Sequence, residues 1–293
     1  MNVTLSDTRE QFWELSGLSI ATLCWGNQHG RPLLAIHGWL DNALSFAHLA
    51  PLLANHQVVA PDLSGHGRSA WRSSDANYEI WDDLPDLVEL LDQLGWQSFD
   101  LLGHSRGAAI ATLLAAALPG RVSNLVLLDG IAPEPVPEAT FPTQLRKGLQ
   151  DKRALSDKAG TVFANAHQAI DLRVRKGLPV RASEGMVPRS LKPCEGGVTW
   201  SHDPRLQAAS LAKMTERQVE AVLAALDMPV MLLMADDRAE SAARLRAFAE
   251  AHVDSILVRE VSGGHHFHME EGVSSVAQLL QSFLSITEET EQA

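Results

Sequence analysis

The sequence predicts an α/β fold: a mostly parallel central sheet covered by helices, with a mainly helical cap inserted after the sixth strand. Three observations carry this prediction. Continuous apolar runs such as Pro32-Leu-Leu-Ala-Ile36, Val122 to Leu128 and Pro229-Val-Met-Leu-Leu-Met234 read as strands buried on both faces, not as alternating half-exposed ones. Segments with apolar residues at helical intervals separate these runs, which is the rhythm of a layered parallel sheet. From Ala132 to Leu211 that rhythm stops, and proline-rich connectors (Pro133, Pro135, Pro137, Pro142) give way to helix-like pieces mixing Arg and Lys with Ala and Leu.

Taken in order, Phe12 to Trp25 reads as a hairpin, with Phe12–Leu15 and Leu18–Trp25 joined by a Ser-Gly turn. The run Pro32–Ile36 ends at His37-Gly38, and Ala43 to Leu53 follows with helical spacing. Gln57-Val-Val-Ala60 is a short strand running into Pro61-Asp62 and the loop Leu63–Ser69. Tyr78 to Leu94 places Ile80, Leu84, Leu87, Leu91 and Leu94 on one helical stripe stopped by Gly95, with Pro85 either kinking the helix or opening a second one. A strand from Phe99, a helix over Ala108–Ala117 and a strand over Val122–Leu128 come next. After the insertion the pattern resumes with the strand Val230–Met234, a helix over Ala239–Ala251, a strand from Ser255 to Val261 and a helix from Val273 to Phe283. Residues 1–131 and 212–293 are therefore assigned to the core and 132–211 to the cap. An insertion at the carboxyl end of a central strand lies over the rim where open sheets bind ligands.

Composition narrows the function. The 293 residues are long enough for one large core plus a cap, and 45% apolar with 20% charged is the balance of a globular chain. Only the polar, acidic end from Glu288 to Ala293 reads as unstructured. A formal charge of −12 argues against a nucleic-acid groove or an anionic membrane as the main partner. Cys24 and Cys194 make neither a disulfide framework nor a metal cluster. The start of the chain lacks the basic and apolar regions of a signal peptide, and the longest apolar run, Ala108 to Leu118, is about half a bilayer span. A cytoplasmic location is expected, with no nucleic-acid or membrane partner; homo-oligomer formation is left open.

The chemistry centres on Gly103-His-Ser-Arg-Gly107. A G-x-S-x-G turn between a strand and a helix holds the Ser105 hydroxyl off the backbone, and the two glycines allow the tight bend. The following helix aims its first amides at charge developing beside Ser105. A serine needs a base, and Ser262-Gly-Gly-His-His-Phe-His-Met-Glu270 supplies three histidines ahead of the last helix. His265 follows Gly263-Gly264, where the backbone is free to turn the ring over the sheet edge, so it is the expected base, with His266 and His268 as rivals. These histidines lack a metal-binding spacing, so no metal or cofactor is expected. An acid must orient the base, and both Asp129 and the Asp236-Asp237 pair stand at strand ends on the same rim. The oxyanion donors are expected to be the amides of Arg106 and Trp39. A pocket-facing Arg106 side chain would favour an anionic substrate, a surface-facing one would not, and the surface is preferred.

With these blocks in place the chain resembles the α/β-hydrolase superfamily over nearly its whole length. The matching blocks are His37-Gly38, Asp62-Leu-Ser-Gly-His-Gly-Arg-Ser69, Gly103-His-Ser-Arg-Gly107 and Gly264-His-His-Phe-His-Met-Glu270. A closer likeness is to the serine hydrolase-like proteins, through His37-Gly-Trp-Leu-Asp-Asn-Ala43, Leu125-Val-Leu-Leu-Asp129 and Gly197-Val-Thr-Trp-Ser-His-Asp-Pro-Arg-Leu206. The superfamily usually carries its acid after the seventh strand in a Gly-x-x-Asp turn. Here Ala235-Asp-Asp-Arg238 puts Arg238 at that place, whereas relatives with the acid after the sixth strand match Asp129. The resemblance therefore ranks Asp129 ahead of Asp237, with Asp236 third. The activity expected is hydrolysis of a small or medium carboxylic ester by Ser105, His265 and one of these acids. Thioester, lactone or carbon–carbon bond hydrolysis on the same groups is the alternative, as is a silent ligand-binding or interaction protein.

Overall fold

The computed structural model describes residues 8–156, 160–237, 239–254 and 256–291. The N-terminal hairpin forms as the alternation suggested, from β1 (Arg9–Leu15) and β2 (Leu18–Gly26), paired antiparallel. Five further strands run parallel to one another: β3 (Arg31–Ile36), β4 (His56–Pro61), β5 (Phe99–His104), β6 (Val122–Leu128) and, after the insertion, a strand at Val230–Ala235. A last parallel strand, Leu257–Val261, closes the sheet, whose order is β1-β2-β4-β3-β5-β6 followed by those two.

Alternate residues of the central strands feed two separate cores. Leu34, Ile36, Leu232 and Met234 pack on one face with α1 (Asp83–Gln93) and α2 (Arg106–Ala117). Leu33, Ala35, Met231 and Leu233 pack on the other with the final helix. Burial on both faces is why the strands are apolar at every position. Pro85 is the third residue of α1, where its missing N–H is one the helix end leaves unpaired in any case, so it opens the helix without kinking it.

Ala43–Leu53 departs from the expected helix and makes two short 3₁₀ turns, Ala43–Phe46 and Ala50–Leu52. The Asn42 side chain caps the first turn by accepting from the Leu44 amide, and Pro51 starts the second, so no longer helix propagates.

The insertion after β6 is a cap of helices and strands. It holds α3 (Phe141–Ser156), β7 (Val162–Phe163), α4 (Ala166–Arg175), α5 (Val180–Met186) and the hairpin of β8 (Leu191–Cys194) and β9 (Gly197–Trp200). The three strands form their own sheet in the order β7-β9-β8. Runs of two to four residues leave no readable alternation, so this sheet was not visible in a sequence expected to be mainly helical there. Helix α6 (Glu216–Leu223) leads back to the core strand β10 (Val230–Ala235), then α7 (Ala239–His252), β11 (Leu257–Val261) and α8 (Val273–Glu291). Ser255, the expected start of β11, lies outside the described residues. Helix α8 runs well past Phe283 into the acidic end read as unstructured, consistent with the high helix propensity of Glu and Gln. Among the described residues no helix is long and apolar enough to cross a membrane.

Candidate active site

Ser105 stands where β5 turns into α2, and its backbone is strained: φ is 54° and ψ −116°, outside the region ordinary side chains favour. The glycines around it are there for space. A Cβ on Gly103 would come within 2.5 Å of the Gly107 carbonyl oxygen, and one on Gly107 within 2.1 Å of the Ile36 carbonyl oxygen. The bend therefore needs both, and the Ser105 amide anchors it by donating to the Leu128 carbonyl at 2.9 Å.

Three separated segments converge on this bend. His265 Nε2 lies 2.9 Å from Ser105 Oγ. On the other side of the ring, His265 Nδ1 donates to Asp129 Oδ2. A carboxylate accepts only, so the ring proton sits on Nδ1 and the lone pair of Nε2 faces the serine hydroxyl. Asp129 follows β6 with φ 49°, and its second oxygen accepts from the Ala235 amide of β10 at 3.2 Å, which fixes the carboxylate between two strand ends. Burial would raise the Asp129 pKa, but the hydrogen bond and charge of His265 outweigh it and hold the carboxyl below its ordinary range.

The other acids proposed from sequence sit elsewhere. Asp237 is exposed, with its carboxylate about 3.3 Å from where a Gly264 side chain would begin, and Asp236 accepts from the Gly263 amide at 3.2 Å. Asp236 braces the loop that carries His265, while Asp129 holds the ring. The β6 strand end faces the nucleophile directly, since a Cβ on Gly130 would fall 2.8 Å from the Ser105 carbonyl oxygen.

The rival histidines are also placed. His268 is fully buried, with Nε2 2.9 Å from Ser45 Oγ, so it ties the loop to the first 3₁₀ turn. Glu270 accepts from the Gly264 amide at 3.1 Å and closes the loop on itself. His266 Nε2 lies 3.2 Å from Asp41 Oδ2, and His104 Nδ1 lies 3.5 Å from the same oxygen. These three side chains make an acid–histidine cluster that sequence reasoning missed, although each residue falls inside a motif block. The signal was the polar residue at a strand end: His104 immediately precedes the nucleophile, and Asp41 follows the His-Gly-Trp turn.

The cluster is dry. His104 has no exposed surface, and burial pushes its pKa down to about 4, which leaves it neutral near pH 7. Its Nε2 faces the His265 carbonyl oxygen at 2.8 Å and must donate to it, so His104 steadies the backbone of the neighbouring histidine. Burial would raise Asp41, but its histidine neighbours, with His266 in hydrogen-bond reach, prevail and hold it well below the usual carboxylate range. The potential ligand atoms of Asp41, His104 and His266 all lie within 4.8 Å of one another, so these residues could hold a metal ion. Arg173 from the cap approaches Asp41 Oδ1 at 3.5 Å, however, and already supplies a positive charge there.

The expected oxyanion donors flank the bend. Gly38 touches it, because a Cβ there would lie 3.3 Å from Ser105 Cβ, and Trp39 is the next residue. The Trp39 ring is half exposed and its Nε1 donates to the Leu206 carbonyl at 3.0 Å, so it bridges core and cap and is not a core aromatic. The Arg106 guanidinium pairs with Asp83 at 3.0 Å and is thereby committed to the start of α1. Core and cap are further joined by buried Arg189, whose Nε donates to fully buried Asp62 at 2.9 Å.

This architecture defines an α/β-hydrolase, and comparison bears it out: residues 31–272 match the alpha/beta hydrolase fold family, to which the chain belongs. Its relatives are serine hydrolase-like proteins of several species; one from Danio rerio is 30% identical over 269 residues, covering 86% of this chain and 82% of the relative. The crystal structure of a hypothetical protein from Pseudomonas aeruginosa PAO1 superposes with a TM-score of 0.89 at 36% identity, covering 94% of this chain and 99% of the other. The thioesterase domain from the curacin biosynthetic pathway does so with a TM-score of 0.81 at 27% identity, again over 94% and 99%. The chain is thus an enzyme-type α/β-hydrolase whose active-site region holds the buried Asp41–His104–His266 cluster and the Ser105 bend.

Proposed function

We propose that the chain is a serine hydrolase that transfers an acyl group to water through Ser105, His265 and Asp129, and that thioesters rank ahead of simple carboxylic esters as its substrates. The observation that carries the reading is His265 spanning Ser105 Oγ on one nitrogen and Asp129 on the other. The preference for thioesters draws on the likeness to the thioesterase domain, which exceeds 25% identity over almost the whole chain.

In this reading Ser105 Oγ attacks the carbonyl carbon as its proton passes to His265 Nε2, and Asp129 stabilises the resulting imidazolium. The Trp39 and Arg106 amides receive the oxyanion, and the start of α2 adds its dipole. The C–S or C–O bond then breaks, and His265 gives its proton to the departing thiolate or alkoxide. Water attacks the acyl-enzyme with His265 as base, which releases the acid and restores the serine. Residues 132–211 serve as the cap over this site. The two free cysteines fit a cytoplasmic location.

The test is hydrolysis of acyl N-acetylcysteamine thioesters and p-nitrophenyl esters, alongside labelling by a fluorophosphonate. Ser105→Ala should abolish labelling and lower turnover by about 10⁴ or more. A wild-type protein that hydrolyses none of these substrates and resists the probe would defeat the proposal.

A further inference from the structure

A cavity of about 630 Å³ lies between core and cap, and its wall is cationic although the chain as a whole is strongly acidic. Five basic side chains line it, Arg72, Arg173, Lys176, Lys192 and Arg205, against a single carboxylate, Asp203. Two of the five are already neutralised. Arg205 makes paired hydrogen bonds to Asp203, and Arg72 pairs with Asp86. The other three are not compensated in that way. Among the described residues Arg173 has only the 3.5 Å approach to Asp41, which the two histidines share. Lys192 rests over the Trp71 ring, 4.4 Å from its centroid. Lys176 is exposed, and among the described residues no carboxylate pairs with it or with Lys192.

The field of these groups is felt inside the cavity. His202, also in the wall, has its pKa pushed down to about 4, first by burial and then by the charges of Arg173 and Lys192. The wall also presents apolar surface for an organic chain, in Trp71, Trp200 and Leu40. Leu40 sets the distance from the cavity wall to the nucleophile's neighbour. It lies two residues after Gly38, which packs on Ser105, so at most about 7.6 Å of backbone separates the nucleophile's neighbour from the cavity wall.

Resting on the acyl-hydrolase reading, we propose that this cavity binds an anionic group of the substrate, a phosphate or carboxylate, through Arg173, Lys176 and Lys192 while the acyl carbonyl lies at Ser105. Such a site would collect anions that the net charge of the protein otherwise repels. A phosphate would belong to the leaving arm, as in coenzyme A, and a carboxylate to the acyl group, as in a dicarboxylic half-thioester.

Three thioesters separate these sources: butyryl-coenzyme A, butyryl-N-acetylcysteamine and glutaryl-N-acetylcysteamine. At least one charged substrate should exceed the neutral one in kcat/KM by tenfold or more, mainly through KM, and the advantage should shrink with added salt. The first substrate prevailing assigns the phosphate; the third assigns the carboxylate. In the double variant Lys176→Glu/Lys192→Glu, both at exposed positions, that advantage should disappear, while the charge control Lys213→Glu keeps it. Calorimetric titration with coenzyme A and with glutarate reads the site without turnover, and saturable binding lost in the double variant supports it even if no thioester is cleaved. Neutral turnover without charge preference, or an advantage untouched by the double variant, overturns the anion site and leaves the hydrolase standing. Absence of both binding and turnover overturns both.

Discussion

Two acid–histidine groups sit side by side on the rim of this sheet, and the same residue types do different work in each. Asp129 and His265 are part-open, with side chains 15% and 27% exposed, and the free nitrogen of the ring meets a hydroxyl. Asp41 and His104 are 3% and 0% exposed, and the acid is shared among His104, His266 and the guanidinium of Arg173. A base must be able to gain and lose a proton in contact with substrate, which the first group permits. The second keeps its acid ionised and His104 neutral in a buried setting, which suits holding parts in place. Its hydrogen bond to the His265 backbone means that one group positions the other.

The sharpest way to break this comparison is to exchange the acids' fates. Asp129→Asn should lower kcat by about 10⁴ with little change in KM, because an amide favours the wrong ring tautomer. Asp237→Asn should change kcat by no more than about twofold, as its place beside Gly264 is not on the His265 ring. Steady-state rates on one thioester check both. A collapse of the Asp237 variant with a healthy Asp129 variant would return the acid to the turn after β10.

Asp41→Asn comes next in size. Removing the shared charge leaves Arg173 without its carboxylate and should destabilise the fold by about 3 kcal/mol, with kcat falling only about tenfold in the folded protein. Denaturant melts and rates below the transition measure the two separately. A loss of turnover as deep as that of Ser105→Ala, at unchanged stability, would mean that Asp41 itself meets the substrate and that the two groups have been assigned the wrong way round.

How much of this was legible in the sequence follows from how local each feature is. The Ser105 bend is written in neighbouring residues, since Gly103 and Gly107 are required by contacts within a few positions and with the adjacent strand. Strands buried on both faces announce themselves as apolar runs. The partner of His265 is not local: Asp129 and Asp237 both end strands on one rim, and it takes the folded contacts, such as the Ser105 amide bond to Leu128 and the packing of Gly130 on the bend, to show which end faces inward. The Asp41 cluster joins residues up to 225 positions apart, a separation no spacing rule spans. The small cap sheet escaped notice because its strands are too short to show alternation.

The mildest test concerns pH and separates the more buried histidines from the exposed ones. His104 and His202 are each lowered from an ordinary 6.5 to about 4 in the folded chain, so between those values the unfolded chain binds more protons. Stability then rises with pH in that window and is lost as pH falls from about 6.5 toward 4. Asp86 works against this: burial raises it to about 6, so the folded chain holds its proton more firmly there and gains stability toward acid. With His37, His48, His66 and His268 lowered as well, the histidines outweigh the one carboxyl, and the melting temperature should fall between pH 7 and pH 4.5. His202→Gln removes one of these histidines without touching Ser105, His265 or Asp129. It should shrink the difference in melting temperature between pH 8 and pH 5 by about 2–4 °C. An unchanged difference would show that His202 titrates as an exposed imidazole, and that the cap cavity is wetter than its lining implies.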